Sequence, residues 1–255
     1  MGWRKAFLLI ALVHLVTTMW IFKAVKDSSK EHRTVDTTAR GDNSRSSGPI
    51  KGIVAVFLLP SFWLISLAAF VRYGTFISIS GLWAGPYLEH MYHLSLVGRG
   101  KMLMLFPIGF LIGSPIIGLI SDRVVEDRRT VAAAAMFLYT LCVLPLVGFI
   151  PSFSIGMVAV TFFVFGFSGS FAPIMYANIK ELLPSSVTGT AMSAVNFFTM
   201  MGAGFFQHVM GVIIERLSVQ EGQPPPEAFS FAFGLCFIAA ASGAIGYLFV
   251  KRARS

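Results

Sequence analysis

Charge is what this sequence has least of: Lys, Arg, Asp and Glu together make up 13% of its 255 residues, against 55% hydrophobic. With a strongly positive mean hydropathy, that scarcity excludes an ordinary soluble domain. Cysteine is nearly absent as well. Cys142 and Cys236 both fall within long apolar runs, so neither a disulfide framework nor a cysteine-ligated metal is expected, and small apolar packing is the role of each. The sequence also lacks a phosphate-cradling glycine loop, a zinc motif and a nucleophile constellation, which argues against an enzyme. Glu89, His90 and His93 lie close together, but such a group without a fourth ligand is a weak metal signal and reads better as a solvated loop. No cofactor and no metal are expected.

What the sequence has in abundance is long hydrophobic runs. Roughly 20 apolar residues cross a hydrocarbon core, and such runs stand at about 6–22, 61–84, 101–121, 130–150, 154–176, 189–213 and 228–250. They are continuous rather than alternating. In a bilayer every backbone N–H and C=O must be bonded internally, so these spans are helices and not strands of a barrel. The fold class that follows is all-α, a polytopic membrane protein with seven transmembrane helices. Arg4 and Lys5 ahead of the first run would suit a cleaved signal peptide. His14, Thr17 and Thr18 within it, and Trp20, Phe22 and Lys23 at its end, fit a retained helix better. Pro60 starts the second span, with residues 52–59 as an interfacial lead-in. Phe62 and Trp63 then sit at one membrane interface, and Trp83 and Tyr87 at the other.

The formal charge of +8 is no nucleic-acid footprint, because the basic residues alternate by side of the membrane. Lys23 to Lys51, then Arg123, Arg128 and Arg129, then Lys180, and finally Lys251, Arg252 and Arg254 follow the odd-numbered spans. The other face carries Arg4, Lys5, Arg99, Lys101 and Arg216. By the positive-inside rule the amino terminus is outside and the carboxy terminus cytoplasmic. Residues 23–51 hold almost no apolar side chain and read as a flexible cytoplasmic linker.

The run Gly118-Leu-Ile-Ser-Asp-Arg123, followed by Arg128 and Arg129, resembles the Gly-x-x-(Ala/Ser)-Asp-Arg signature of major facilitator superfamily (MFS) transporters, in the weaker form found between helices eight and nine. It departs from the strong form: no Gly follows Arg123, and the basic pair comes two residues late. Gly2-Trp-Arg-Lys-Ala-Phe7 is similar to the element that many members place between helices five and six. Phe70-Val-Arg-Tyr-Gly-Thr75, Gly81-Leu-Trp-Ala-Gly-Pro-Tyr87 and Gly189-Thr-Ala-Met-Ser-Ala-Val-Asn196 look like segments of helices seven and eleven. The resemblance implies that residues 1–22 are helix six, 23–51 the loop joining the halves, and 52–255 the six-helix carboxy-terminal bundle. It is nearest to permeases for sugar phosphates and organic anions, in a bacterial inner membrane. The implied function is that of a secondary active transporter moving a small anionic solute by alternating access. About five amino-terminal helices would be absent, and the chain is expected to be inactive without that half, supplied in cis or in trans. A transporter-like membrane sensor or accessory subunit, binding solute without moving it, is the alternative.

Arg72 lies about midway between Trp63 and Trp83, at a depth where an uncompensated charge costs at least roughly 3 kcal/mol. No Asp or Glu stands at comparable depth in any run. Its counter-ion is therefore expected from the absent half, from cavity water or from an anionic solute; the resembling sugar-phosphate permeases use a basic residue on helix seven for the substrate. Snorkelling, or a structural pair with an absent carboxylate, stays open. Tyr73, Asn196 and Gln207 need partners in a dry medium and are further candidates for solute binding, or else for interhelical hydrogen bonds. His208 is a lesser candidate, as a proton carrier. Gly118, Asp122 and Arg123 are expected to gate, the charge pair latching one helix bundle to another, unless they form only a solvated loop that sets topology. Small-residue faces at Ser114 and Gly118, at Gly109 and Gly113, and at Gly166, Gly169 and Ser170 predict close helix approach.

Overall fold

The computed structural model describes residues 3–24, 49–125, 127–148, 154–218 and 224–251. Expectations for most of the 23–51 linker, and for Gly2, Arg252 and Arg254, lie outside these residues. Every regular element among the described residues is a helix. Seven helical stretches are long and apolar enough to cross a membrane: Phe7–Ala24, Pro60–Tyr92, Leu96–Arg123, Arg128–Val147, Ile155–Glu181, Val187–Leu217 and Pro226–Tyr247. The protein is thus an integral membrane protein of all-α class. Its chain divides into two units, Met1–Ser47 and Gly48–Ser255.

The described part of the first unit is one helix, Trp3–Ala24. Its three interior polar residues satisfy themselves against the preceding turn. His14 Nδ1 lies 2.8 Å from the Ile10 carbonyl oxygen, Thr17 Oγ1 donates to Val13 at 2.5 Å, and Thr18 Oγ1 donates to His14 at 2.7 Å. Such back-bonding lets a helix carry His and Thr through a medium without water.

In the second unit the lead-in is a separate helix, Pro49–Phe57. Trp63 Nε1 donates to its terminal Phe57 carbonyl at 2.9 Å, and Pro60 then opens the second span near its first turn, where a missing N–H costs nothing. The second span runs on well past the expected end near residue 84, as Pro60–Ser78, a π-helical turn Ile79–Trp83 and Ala84–Tyr92. Pro86 explains the π turn: proline lacks an N–H and clashes with the carbonyl four residues back, and one wider turn removes the clash. His93, with φ 50°, ends the helix in the left-handed region. The expected interfacial belts are only partly present. Trp63 is 47% exposed whereas Phe62 is buried, because successive helix residues point about 100° apart, and Tyr87 is buried against Phe229 and Phe233. Phe62 joins the core against Phe57 and Phe198.

Two helix crossings organise the bundle, and both rest on glycine. A Cβ at Gly109 would stand 2.1 Å from the Phe163 carbonyl oxygen, and one at Gly166 would stand 2.1 Å from that of Phe106, so the third and fifth spans meet backbone to backbone. The second and sixth spans cross the same way. A Cβ at Gly202 would lie 2.1 Å from the Phe70 oxygen, and one at Gly74 would lie 2.5 Å from the Gly202 oxygen. A Cβ at Gly118 would meet nothing within 4 Å, so no helix among the described residues closes on that glycine. Aromatic rings fill the space between the crossings. Phe106 stacks on Phe162 at 4.2 Å, Tyr139 on Phe165 at 4.5 Å and Phe76 on Phe165 at 5.5 Å between centroids.

Candidate functional site

The fifth span is broken in its middle. Its helix Ile155–Gly169 stops, Ser170 and Phe171 leave the helical path, and Ala172–Glu181 resumes with Pro173 in its first turn. Such a break frees carbonyls that a continuous helix would use. Arg72, on the second span, takes one of them: its Nη1 donates to the Gly169 carbonyl oxygen at 2.8 Å. The guanidinium also lies 5.7 Å from the ring centroids of both Tyr73 and Phe171, within cation–π range. Arg72 is only 4% exposed, no acidic residue pairs with it among the described residues, and its Nε has no partner. The expectation had left every compensating group outside the chain or in solvent. The helix break supplies one instead, a backbone dipole that no reading of side-chain charge could reveal.

Behind Arg72 the backbone is fixed. Tyr139 donates its hydroxyl to the Arg72 carbonyl at 3.1 Å and lies 2.6 Å from Thr75 Oγ1, both buried. In front of it opens a cavity of about 840 Å³. Tyr73, Phe76 and Ser80 line it from the second span, and Phe106 and Phe110 from the third. The far wall is Tyr176 with Asn196 and Thr199. The Tyr176 hydroxyl donates to Asn196 Oδ1 at 3.2 Å and lies 3.5 Å from Thr199 Oγ1, joining the broken fifth span to the sixth. Of the residues singled out from the sequence, Arg72, Tyr73 and Asn196 therefore share one cavity. Gln207 is half-buried and His208 exposed on the same helix, and neither is in its lining. Tyr176, Thr199 and the phenylalanines were not foreseen; the one available sign was Gly169, Ser170 and Pro173 in sequence, which marks the break that turns Tyr176 inward.

At the Arg123 end of the bundle a second set of groups comes together. Arg128 Nη1 lies 3.3 Å from Asp122 Oδ1, and its Nε donates to Glu181 Oε1 at 2.5 Å, tying the third, fourth and fifth spans. Asp127 caps the fourth span by accepting from the Arg129 N–H and from Thr130 Oγ1. Arg123 itself is exposed and makes no ion pair among the described residues. At the opposite end of the third span Glu89 pairs with Arg99. His90 lies over Phe229, and no group of three metal-ligating side chains stands together among the described residues.

The sequence profile of the family described as Major Facilitator Superfamily matches residues 65–255. The chain belongs to that superfamily. A relative with 26% identity is Bypass of stop codon protein 6 of Saccharomyces cerevisiae, aligned over 86% of this chain and 48% of its own length. In three dimensions the chain is similar to the proton:xylose symporter XylE bound to 6-bromo-6-deoxy-D-glucose, with TM-score 0.61 and 19% identity over 78% of this chain and 45% of that one. It is also similar to the inward-open xylose transporter XylE from E. coli, with TM-score 0.60 and 20% identity over 75% and 48%. At such identities the likeness is one of fold. The chain spans about half the length of the relatives it matches, and the fold is that of a carboxy-terminal MFS half. Of the MFS signature, Asp122 is held by Arg128, Arg123 makes no ion pair among the described residues, and Gly118 is half-buried near the helix end.

Proposed function

We propose that this protein works in a secondary active transporter that carries a small organic anion across the membrane by alternating access, with Arg72 holding the anion. The observation that carries the reading is a buried guanidinium without an acidic partner among the described residues, at the wall of a cavity. Among the described residues only Nη1 is spent, on the Gly169 carbonyl. The remaining N–H groups form a fork that suits a carboxylate or phosphate, and a buried cation of this kind is a site by default in a membrane segment.

Asn196, Tyr176 and Tyr73 are the polar groups that would orient the solute, while Phe76, Phe106 and Phe110 would contact its body. Sites of this superfamily type lie between two halves and open alternately to each side, so the proposal includes an amino-terminal half supplied in cis or in trans. Asp122, Gly118 and Arg123 would act at the contact between halves. The proposed orientation has the Arg123 end in the cytoplasm, as the basic residues there favour.

The test is uptake into proteoliposomes containing this chain and the complementary half, over a panel of carboxylates, phosphates and neutral sugars. Saturable anion uptake abolished by Arg72→Ala is the expected result. Uptake of every anion that survives this substitution unchanged would show the site to be elsewhere. Solute binding without flux in the complete assembly would instead favour a sensor.

A further inference from the structure

A second hollow lies away from the Arg72 cavity, along the seam of the fourth and seventh spans, with a volume of about 640 Å³. Small residues make it: Ala133 and Ala134 on one helix face Ala241 and Ala244 on the other, and Phe137 and Phe237 stand as walls. Where alanine meets alanine at a surface, nothing reaches across the seam, and a groove is left. From Arg129 to Leu141 the fourth span rises about 18 Å, close to the depth of one leaflet, about half of a 30 Å hydrocarbon core.

Among the described residues the groove holds a single charged one, Arg129, at one end. Its guanidinium donates through Nη2 to the Leu248 carbonyl, just past the last turn of the seventh span. One donor fixes the side chain at the mouth, and the rest of the fork is left for another acceptor. The neighbouring acids among the described residues are engaged elsewhere, Asp122 and Glu181 by Arg128 and Asp127 by the helix start it caps. A transmembrane helix in the groove would bury that cation against apolar side chains. A lipid would bring a phosphate to it, as basic pockets between helices at a membrane surface do.

We infer that this groove binds an anionic phospholipid, with its phosphate on Arg129 and one acyl chain lying over Ala134 and Ala241. The binding is independent of the solute cavity and of the transport reading. It makes the bilayer's anionic lipid a specific ligand that staples the fourth span to the seventh.

Native mass spectrometry of the purified, delipidated chain, titrated separately with phosphatidylglycerol and phosphatidylcholine of equal acyl length, tests it. The first phosphatidylglycerol should bind about five-fold more tightly than phosphatidylcholine, the effect of one basic residue at a membrane surface. Arg129→Gln should erase this preference while Arg123→Gln keeps it. Ala134→Trp, which fills the groove from an exposed position, should weaken both lipids, and it serves as the decisive variant should Arg129→Gln lose helical circular dichroism. Equal binding of the two lipids by the natural chain, or undiminished binding to a folded Ala134→Trp chain, would overturn the inference. So would a dimer that Ala134→Trp converts to monomer, since the groove would then belong to a second copy.

Discussion

Arg72 and Gly169 stand 97 positions apart in sequence and are joined by a 2.8 Å hydrogen bond from guanidinium to backbone carbonyl. The bond explains how a buried cation is held with no acidic partner among the described residues. A carbonyl is a partial negative charge, enough to hold the side chain in one rotamer and too little to neutralise it. The remaining demand for negative charge is what an anionic solute would meet.

Arg72→Ala should therefore lower anion affinity by at least ten-fold, in line with the roughly 1.5–3 kcal/mol of a hydrogen bond to a charged group. Arg72→Lys should recover little of it, because an ammonium cannot hold the Gly169 carbonyl and a carboxylate in one plane. Calorimetric titration in detergent measures both, and an equal affinity in the Lys variant would argue against a forked contact.

Tyr176→Phe removes the hydroxyl that bonds Asn196 and leaves the ring in place. Affinity should fall by about three- to ten-fold, the span of one neutral hydrogen bond, with no change in thermal stability. A variant that instead unfolds earlier at unchanged affinity would make this hydrogen bond a structural tie between the fifth and sixth spans.

Gly202→Ala and Gly189→Ala form a paired test of the crossings. The first places a methyl group 2.1 Å from a backbone oxygen, while the second meets nothing within 4 Å. Overpacking of a close contact costs about 1–3 kcal/mol, so melting in detergent should come several degrees earlier for Gly202→Ala, and no earlier, or slightly later by helix propensity, for Gly189→Ala.

Arg128→Ala should cost about 1 kcal/mol or less, since the Asp122 and Glu181 pairs it breaks are partly exposed, and raised salt should shrink the difference. Arg123→Ala should leave the stability of this chain unchanged and reduce only uptake by the two-half assembly. A loss of stability from Arg123→Ala in the isolated chain would end the reading of Arg123 as a contact between halves.

Orientation is measured by cysteine labelling, with the native Cys142 and Cys236 buried. In intact cells an impermeant maleimide should label Ser218→Cys directly and Val124→Cys, at a 73% exposed position, only after lysis. The reverse pattern would invert the proposed topology.

Much of this protein was determined by its sequence alone. Seven apolar runs set seven helices, because bilayer length and backbone satisfaction leave no other structure for them. Pro60 marked a helix start, and the Gly109 and Gly166 contacts followed from residue size. The family was legible in Gly118, Asp122 and Arg123, and one buried cation pointed to a site. Tertiary structure decided the remainder. That Gly169 would offer a carbonyl to Arg72, that Tyr176 would bond Asn196, and that Gln207 would stay out of the cavity all depend on how a broken helix is rotated against its neighbours. That rotation arises from contacts between residues far apart in sequence, such as Gly74 with Gly202, and a periodicity along one chain segment carries no record of them.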